Sequence, residues 1–403
     1  MNFNIITLGC KVNQYESQAM REDMLKNGFL LSDDRDRADI TIVNSCTVTS
    51  VSDAKNRKIL NRVRRENPDG IVILTGCMPQ AFPEESENFS NCDIVLGNAK
   101  RAELVPSIYK FLEEKQKFVH ITEHIGKGEK YENLSVSSLG EHTRAFIKIE
   151  DGCNRFCSYC IIPYARGRVR SKSLEDLKAE LIQVAANGYR EVVLVGINLS
   201  AYGLDEDFDL ADAVECACSV DGIDRVRLGS IEPERMDKEM IARLAAQPKF
   251  CPQFHLSLQS GCDNTLKAMN RHYNCSEYAE IVTNLRNAFE NSSMTTDVMV
   301  GFEGETEESS LQRCISSRIH AVKALLPIKH QIKLIPKSKS REPKLWSRSA
   351  MKPEGNFLKI RLAFVNLFSL KDFVTVILRV TQRTTRLFIL IVKIQVSVVK
   401  LLM

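Results

Sequence analysis

The sequence predicts an α/β protein made of two successive parallel-strand domains and a C-terminal segment of different character. Short apolar runs alternate with helical stretches over the first hundred residues. A second series of strand–helix units begins near residue 145. Such alternation is typical of parallel sheets, because each helix returns the chain to the start of the next strand. An abrupt fall in acidic residues after position 308 marks the last segment.

The first domain, residues 1–125, has four strand candidates separated by helix candidates. The strands are predicted at Asn4–Leu8, Ile40–Asn44, Ile71–Thr75 and Asp93–Leu96, and the helices near Gln14–Asn27, Val51–Asn67 and Lys100–Leu112. Gly28 follows the first helix as a left-handed cap. The pattern predicts an open parallel sheet.

Three cysteines of this domain, Cys10, Cys46 and Cys77, each fall just past the carboxyl end of a predicted strand. Ligands of open parallel sheets bind in the crevice outside those ends. Three loops at one sheet edge can therefore bring their thiols to a single point. Cys92 stands at the start of its strand instead, which predicts the opposite edge and a structural role.

The second domain, residues 142–308, follows a polar stretch in which we place a linker at 126–141. Its strand candidates are Ala145–Glu150, Glu191–Gly196, Arg225–Ser230, Gln253–Leu258 and Thr295–Gly301. Between the first two, a helix is predicted with one apolar stripe and with Ser173 and Gly188 as its caps; the stripe comprises Leu174, Leu177, Leu181 and Val184. Repeated units of this length predict a parallel barrel or part of one.

The first strand of the second domain leads directly into a loop with the spacing CxxxCxxC. Its cysteines are Cys153, Cys157 and Cys160. Closely spaced cysteines in one loop are typical of iron–sulfur clusters, and three ligands on a four-iron cluster leave one iron open for a further chelator. A structural zinc site would need a fourth ligand, for which His142 is the nearest histidine. Chance clustering of buried thiols is the third interpretation.

Composition and charge separate the last segment from the rest. Residues 309–403 hold 19 of the 55 basic residues but three of the 51 acidic ones, so their formal charge is +16 against −12 for residues 1–308.

The apolar run Phe3–Leu8 is too short for a signal peptide, so we expect a cytoplasmic protein whose 13 cysteines are reduced. The run Leu387–Met403 is interrupted by lysines and shorter than the ~20 residues of a membrane span, so no membrane attachment is expected.

Residues 1–308 resemble a known family through five motifs in the same order. "DGCNRFCSYCIIPYARGRVRS" is similar to the cluster loop of radical S-adenosylmethionine methylthiotransferases. "TLGCKVNQYES" resembles the opening of the branch that thiomethylates N6-threonylcarbamoyladenosine in tRNA. "GSIEPE", "FHLSLQSGCDNTLKAMNR" and "TTDVMVGFEGETEE" match later blocks of the family. The resemblance implies an N-terminal methylthiotransferase domain followed by a (β/α)6 radical-SAM barrel, here partial.

The resemblance also implies cofactors and partners. The cysteines of the loop would hold a 4Fe–4S cluster that binds S-adenosylmethionine, and Cys10, Cys46 and Cys77 would hold a second 4Fe–4S cluster. A 5′-deoxyadenosyl radical would abstract hydrogen from adenine C2, where a methylthio group is then placed. The implied partners are tRNA and a reducing electron donor such as flavodoxin or ferredoxin. The sequence does not indicate the sulfur source.

Further residues near the predicted active edge are candidates for cofactor or RNA contacts. Tyr159 precedes Cys160, where the superfamily usually has an aromatic side chain near the cofactor adenine; packing in the core is the alternative interpretation. Polar residues after the next three strands could reach the cofactor or simply bond within their loops: Asn198, Ser200, Ser230, Glu232 and Gln259. Four basic residues after the cluster loop could contact tRNA phosphates or the cofactor carboxylate, or lie on a plain surface: Arg166, Arg168, Arg170 and Lys172.

The family pattern stops near Ser309, and the tail of 309–403 admits three interpretations. It is a basic RNA-binding segment, a membrane attachment, or a segment translated out of frame, and the abrupt break favours the last. An out-of-frame tail would replace the final barrel strand and the family's RNA-binding domain, leaving the chain with impaired activity. The alternative functions are methylthiotransfer to isopentenyl-adenosine tRNA or to a ribosomal protein, and a non-catalytic RNA-binding metalloprotein.

Overall fold

The computed structural model describes residues 1–32, 38–122, 125–126, 129–137 and 143–305, together with three strands between residues 358 and 395. The chain forms two compact units, Met1–Gln253 and Phe254–Met403. His142, the fourth ligand of the zinc interpretation, lies outside the described residues. None of the helices described is both long and apolar enough to cross a membrane.

The first unit opens with a sheet of six strands in the order β2-β1-β3-β4-β5-β6, all paired in parallel. The strands are β1 (Asn2–Thr7), β2 (Leu30–Leu31), β3 (Ile40–Ser45), β4 (Ile71–Gly76), β5 (Ile94–Leu96) and β6 (Phe118–His120). The four predicted strands are confirmed. The edge strands β2 and β6 were not predicted, and β6 lies in the polar stretch.

Five helices accompany this sheet: α1 (Lys11–Lys26), α2 (Ser50–Glu66), α3 (Cys77–Ala81), α4 (Pro83–Glu87) and α5 (Leu104–Glu114). The Thr49 hydroxyl caps α2 by accepting from the Ser52 amide at 3.1 Å. Gly28 has φ 83° after α1, as its role of left-handed cap requires. Every residue of β3 and β4 is buried, as expected for central strands covered on both faces.

A second parallel series completes the first unit. Its elements are β7 (Ala145–Lys148), β8 (Glu150–Asp151), α6 (Ile162–Arg166), β9 (Arg170–Ser171), α7 (Leu174–Ala186), β10 (Glu191–Val195), α8 (Leu210–Ser219), β11 (Arg225–Leu228), β12 (Ser230–Ile231) and α9 (Lys238–Ala245). Strand β10 pairs in parallel with β7 and β11. The antiparallel pair β8–β9 brackets the three-cysteine loop. Ser173 caps α7, and Leu177, Leu181 and Val184 of the predicted stripe are fully buried.

The described part of the linker contacts both the N-terminal domain and the second strand series of the first unit. The Leu134 carbonyl accepts from the Tyr15 hydroxyl at 2.6 Å and from the Lys172 ammonium at 2.9 Å. The Tyr131 hydroxyl donates to the Lys148 carbonyl at 2.7 Å, and Val136 is fully buried. These contacts attach the segment both to helix α1 of the N-terminal domain and to the second strand series.

The second unit contains β13 (Gln253–Leu256), α10 (Asp263–Ala268), α11 (Cys275–Ala288), β14 (Ser293–Val300), β15 (Leu358–Phe364), β16 (Phe373–Val380) and β17 (Phe388–Gln395). Strands β14 to β17 form an antiparallel meander. The tail therefore follows β14 with antiparallel strands, which departs from the parallel pairing of β7, β10 and β11.

Candidate metal centres

The cysteines of the N-terminal sheet come together at its carboxyl edge. Cys10 is the N-cap of α1 after β1, Cys46 follows β3 directly, and Cys77 begins α3 after β4. Burial, with smaller contributions from the nearby Cys77 and Cys10 thiols, raises the pKa of the Cys46 thiol to about 11. The three thiols thus lie within electrostatic reach of one another, as three parallel strand ends predict.

Two glycines allow this convergence. A Cβ on Gly9, which has φ 103°, would lie 2.6 Å from Cys46 Cβ and 2.9 Å from its Sγ. A Cβ on Gly76, which has φ 97°, would lie 2.5 Å from the Ser45 carbonyl oxygen. Only glycine fits these close approaches without a clash. The residues directly before Cys10 and Cys77 therefore let their loops close on the end of β3.

The second group of cysteines occupies one continuous loop between β8 and α6. The Cys153 amide donates to the Gly167 carbonyl at 3.0 Å, and the Cys160 amide donates to the Cys157 carbonyl at 2.9 Å. All three residues are half-buried. Burial raises the pKa of Cys153 to about 12, with smaller contributions from Glu150, Cys160 and Cys157.

Each trio consists of three thiols, and an all-sulfur donor set is the one that iron–sulfur clusters take. Within the described residues, no group of three or more His, Cys, Asp and Glu side chains is placed so that it could hold a metal ion.

A buried charge network joins the two sites; we call it the Glu16–Asp151 network. Glu16, on α1, pairs with Arg101 at 3.1 Å, Lys148 at 2.8 Å and Arg166 at 2.5 Å. Asp151, two residues before Cys153, pairs with Lys148 at 2.6 Å, Arg166 at 3.2 Å and Arg170 at 3.6 Å. Burial alone would raise the pKa of Glu16, but the surrounding cations lower it to about 2. Both carboxylates are therefore ionised at neutral pH.

Arg166 is the member of this network that touches a cysteine. Its Nε lies 3.3 Å from Cys77 Sγ, and its terminal nitrogens donate to Glu16, Asp151 and the Asn13 side-chain oxygen. Because Arg166 ends the helix that follows the CxxxCxxC loop, this contact connects that loop to the N-terminal trio.

Two known protein families match successive parts of this chain. Residues 147–312 match the radical SAM superfamily, and residues 2–97 match the uncharacterized protein family UPF0004. The threonylcarbamoyladenosine tRNA methylthiotransferase MtaB of Thermotoga maritima is 40% identical over 324 residues, which cover 78% of this chain and 73% of that protein. The chain belongs to the radical SAM methylthiotransferase family.

Other relatives of this methylthiotransferase carry two different names. The MtaB protein of Aquifex aeolicus is 37% identical, with 75% of this chain and 73% of that protein covered. A tRNA-2-methylthio-N(6)-dimethylallyladenosine synthase of Pelotomaculum thermopropionicum is 35% identical, with 76% and 70% covered. Among solved structures, the radical SAM methyltransferase TsrM of Kitasatospora setae superposes with a TM-score of 0.59 at 14% identity, covering 79% of this chain and 71% of that one. That likeness concerns the fold alone.

Three of the four basic residues proposed for RNA contact in this methylthiotransferase are buried, which corrects that interpretation. Arg166 and Arg170 belong to the Glu16–Asp151 network, and Lys172 pairs with Glu180. A buried, ion-paired cation cannot reach a tRNA phosphate. Arg168 is exposed, and its guanidinium lies 4.9 Å from the centre of the Phe156 ring. The RNA-contact proposal is therefore kept for Arg168 alone.

The polar residues proposed for cofactor contact lie after strands β10 and β11, as expected from their positions. The Asn198 side-chain amide lies 3.8 Å from Cys153 Sγ. The Ser200 hydroxyl donates to the Glu232 carbonyl and accepts from the Glu232 amide, both at 2.8 Å, which ties the two loops together. Ser230 is exposed on β12.

The other two residues proposed for cofactor contact are Tyr159 and Gln259. Tyr159 is half-buried in the cysteine loop. Gln259 lies in the second unit with φ 65°, and its amide donates to the Asp297 carbonyl at 3.1 Å. Roles in cofactor binding remain proposals for all six residues.

Sequence reasoning missed the acidic residues that flank the loop cysteines. Glu150 is fully buried, accepts from the Asn198 backbone amide at 2.7 Å and has one oxygen without a hydrogen-bond partner among the described residues. Burial raises its pKa to about 8, so this carboxyl is largely protonated at neutral pH. Its neighbour Asp151 is ionised because four cations surround it. Two adjacent acids directly before a Gly-Cys pair were the available signal.

Proposed function

We propose that this methylthiotransferase acts on tRNA and places a methylthio group at C2 of the adenine in N6-threonylcarbamoyladenosine at position 37. The observation that carries the proposal is the pair of three-thiol sites joined through Arg166, since two such sites can hold one cofactor for radical formation and one that supplies sulfur. The opening "TLGCKVNQYES" and the names of the MtaB relatives support the threonylcarbamoyl substrate.

In this proposal each trio holds one 4Fe–4S cluster, and S-adenosylmethionine binds at the loop site. When bound and reduced, these groups supply radical chemistry together with a sulfur atom for transfer. The chain contributes placement: parallel strand ends position the thiols, and Asn198 lies beside Cys153. Buried Glu16 and Asp151 fix Arg166 between the two sites.

A second candidate substrate is the isopentenyl-type adenosine of tRNA. It is favoured by the relative named tRNA-2-methylthio-N(6)-dimethylallyladenosine synthase, which is 35% identical. A ribosomal-protein substrate and a non-catalytic zinc-containing RNA-binding protein stay as the more distant alternatives. The partners that we propose are tRNA and a flavodoxin- or ferredoxin-type electron donor, in the cytoplasm.

We further infer that the segment after about Ser309 is translated out of frame. The superfamily match ends at residue 312, and the alignments to MtaB proteins cover 75–78% of the chain. The antiparallel meander after β14 supports the same inference, because a barrel would continue with a parallel strand. The expected consequence is weak tRNA modification despite intact cluster sites.

The test is nucleoside mass spectrometry of tRNA from cells whose only methylthiotransferase gene is this one. A parallel strain would carry a chimera in which residues after 308 come from the Thermotoga maritima relative. We expect the methylthio form of threonylcarbamoyladenosine from the chimera and much less from the natural chain. The methylthio form of isopentenyladenosine would favour the second candidate. Stoichiometric zinc, without iron or deoxyadenosine release, would contradict both.

A further inference from the structure

Within the described residues, the ion pairs of the Glu16–Asp151 network contain more cations than carboxylates. In the described part of the chain, the ion pairs of this network join four cations to three carboxylates: Arg101, Lys148, Arg166 and Arg170 with Glu16, Asp151 and Glu132. All four cations are buried, where an unbalanced charge is costly. The network therefore favours one further negative group.

The position of that negative group is given by Arg166. Its side chain is fully buried, and its Nε–H donates toward Cys77 Sγ at 3.3 Å. Arg101 is equally buried and also pairs with Glu16, but among the described residues its partners are oxygen atoms, on Glu16, Glu132 and Asn98. The surplus positive charge is thus directed at a cysteine of the N-terminal trio.

We propose that Arg166 is a positioning residue that holds the Cys77 thiolate and raises the reduction potential of the cluster at Cys10, Cys46 and Cys77. Hydrogen bonds to ligand sulfur and nearby positive charge stabilise the more negative, reduced state of such a cluster. Because Arg166 also pairs with Asp151 beside the loop trio, one side chain sets the N-terminal site and links it to the other. This inference rests on the proposed cluster at that site.

The experiment uses the full chain with Cys153, Cys157 and Cys160 replaced by alanine, so that one cluster site remains. R166Q, R166K and the matched control R101Q are reconstituted anaerobically in this background. Their midpoint potentials are measured by EPR-monitored titration, and iron release to a chelator is followed by absorbance. Neither measurement involves tRNA.

We expect R166Q to shift the potential to more negative values and to release iron roughly 10- to 100-fold faster, the usual cost of losing a partner of a metal ligand. R101Q removes an equally buried cation but no sulfur contact, so its potential should stay at the parent value. R166K keeps the positive charge, so its midpoint potential and its rate of iron release should lie between those of R166Q and the parent. If R166Q does not fold, R166K provides the comparison with R101Q.

The outcomes separate this proposal from the proposed function. If R166Q and R101Q both keep the parent's midpoint potential and the parent's rate of iron release, the proposed role of Arg166 is overturned. The methylthiotransferase proposal is not affected by that result. An equal shift in both variants would show a general charge effect and also overturn the role of Arg166. Failure of the parent to assemble any cluster at Cys10, Cys46 and Cys77 would overturn both.

Discussion

The two cysteine trios of this methylthiotransferase differ in how the chain builds them. Cys153, Cys157 and Cys160 lie within one loop, are half-buried, and have the neutral amide of Asn198 at 3.8 Å from one sulfur. The N-terminal trio comes from three strand ends, includes two buried residues, and has the buried guanidinium of Arg166 at 3.3 Å.

This difference separates a locally formed site from one that depends on the whole domain. Closing a short loop costs little conformational entropy, whereas bringing Cys10, Cys46 and Cys77 together requires the folded sheet. In the proposed function, the half-buried loop would exchange a cofactor and accept electrons. The N-terminal site has two buried cysteines, the exposed Cys10 and a buried charge beside it, and in the same proposal it would hold the second cluster.

The largest expected effect is the loss of one site at a time. Cys77→Ser should remove about half of the reconstituted iron but leave reductive cleavage of S-adenosylmethionine, because the loop site is intact. Cys157→Ser should also remove about half of the iron and should abolish that cleavage. Iron analysis and chromatographic measurement of 5′-deoxyadenosine check both expectations.

Cys216→Ser is the control for these substitutions. Cys216 is half-buried on α8, and its thiol contacts the Leu174 carbonyl at 3.8 Å, outside both trios. We expect unchanged iron and unchanged deoxyadenosine release. If Cys77→Ser and Cys157→Ser lost cleavage equally, the two sites would not be separable in the way that the comparison claims.

The next effect concerns the stability of the domain around the N-terminal site. Glu16→Gln would leave Arg101, Lys148 and Arg166 with too little negative charge inside the protein. Breaking a buried ion network from one side costs about 3–5 kcal/mol of unfolding free energy. Urea unfolding of the cluster-free chain, followed by circular dichroism, measures this loss.

The matched control is an exposed ion pair of the same unit. Asp224→Asn removes the partner of Arg190, a pair whose side chains are 49% and 61% exposed. The expected cost is at most about 1 kcal/mol, because water screens such pairs. If Glu16→Gln and Asp224→Asn lower the free energy of unfolding by similar amounts, the Glu16–Asp151 network does not stabilise the domain as we infer.

The sequence predicted the central part of the fold and the location of the thiols. Strands such as β3 and β4 were found within one residue of their ends, because fully buried parallel strands are continuous apolar runs bounded by polar residues and glycine. Cys10, Cys46 and Cys77 followed from the rule that parallel strand ends share an edge. Strand β6 was missed, because three half-buried residues at a sheet edge give little periodic signal.

Burial of charge could not be predicted in the same way. Arg166, Arg170 and Lys172 alternate in sequence as residues of an exposed strand would. Their actual environment depends on partners elsewhere, such as Glu16, which is 150 residues from Arg166. The pattern of apolar residues in a sequence predicts which side chains are buried. It does not predict which charged side chains form ion pairs inside the folded protein.

A smaller effect sharpens the contrast between the two acids beside the loop site. The pKa of Glu150 is raised from 4.5 to about 8, so the folded chain binds its proton more tightly than the unfolded chain. Stability from this group is present below pH 4.5 and is lost as pH rises towards 8, by up to ~1.4 kcal/mol per pH unit. Glu150→Gln, which keeps an oxygen acceptor for the Asn198 amide, should flatten that slope.

Asp151 has a pKa shifted in the opposite direction and should add no slope between pH 5 and pH 8. Its pKa is lowered by Lys148, Arg166 and Arg170 in spite of burial, so its contribution is present at neutral pH and is lost only in acid. Unfolding free energies of the parent and Glu150→Gln between pH 5 and pH 8 test the assignment. An unchanged slope in the variant would mean that Glu150 is ionised when folded.

The smallest expected effect concerns the outer face of the loop site. Arg168 is the exposed basic residue there, and Phe156 and Tyr164 are exposed beside it, with ring centres 5.9 Å apart. If this face meets tRNA, Arg168→Ala should weaken binding of an anticodon stem-loop by a few-fold and lower the salt dependence of log K by about one. Arg190→Ala is the control, because Arg190 precedes β10 and therefore lies at the amino edge of the strands, opposite the cysteine loop. Fluorescence anisotropy over a range of salt concentrations gives both quantities, and equal slopes in the two variants would place the RNA away from this face.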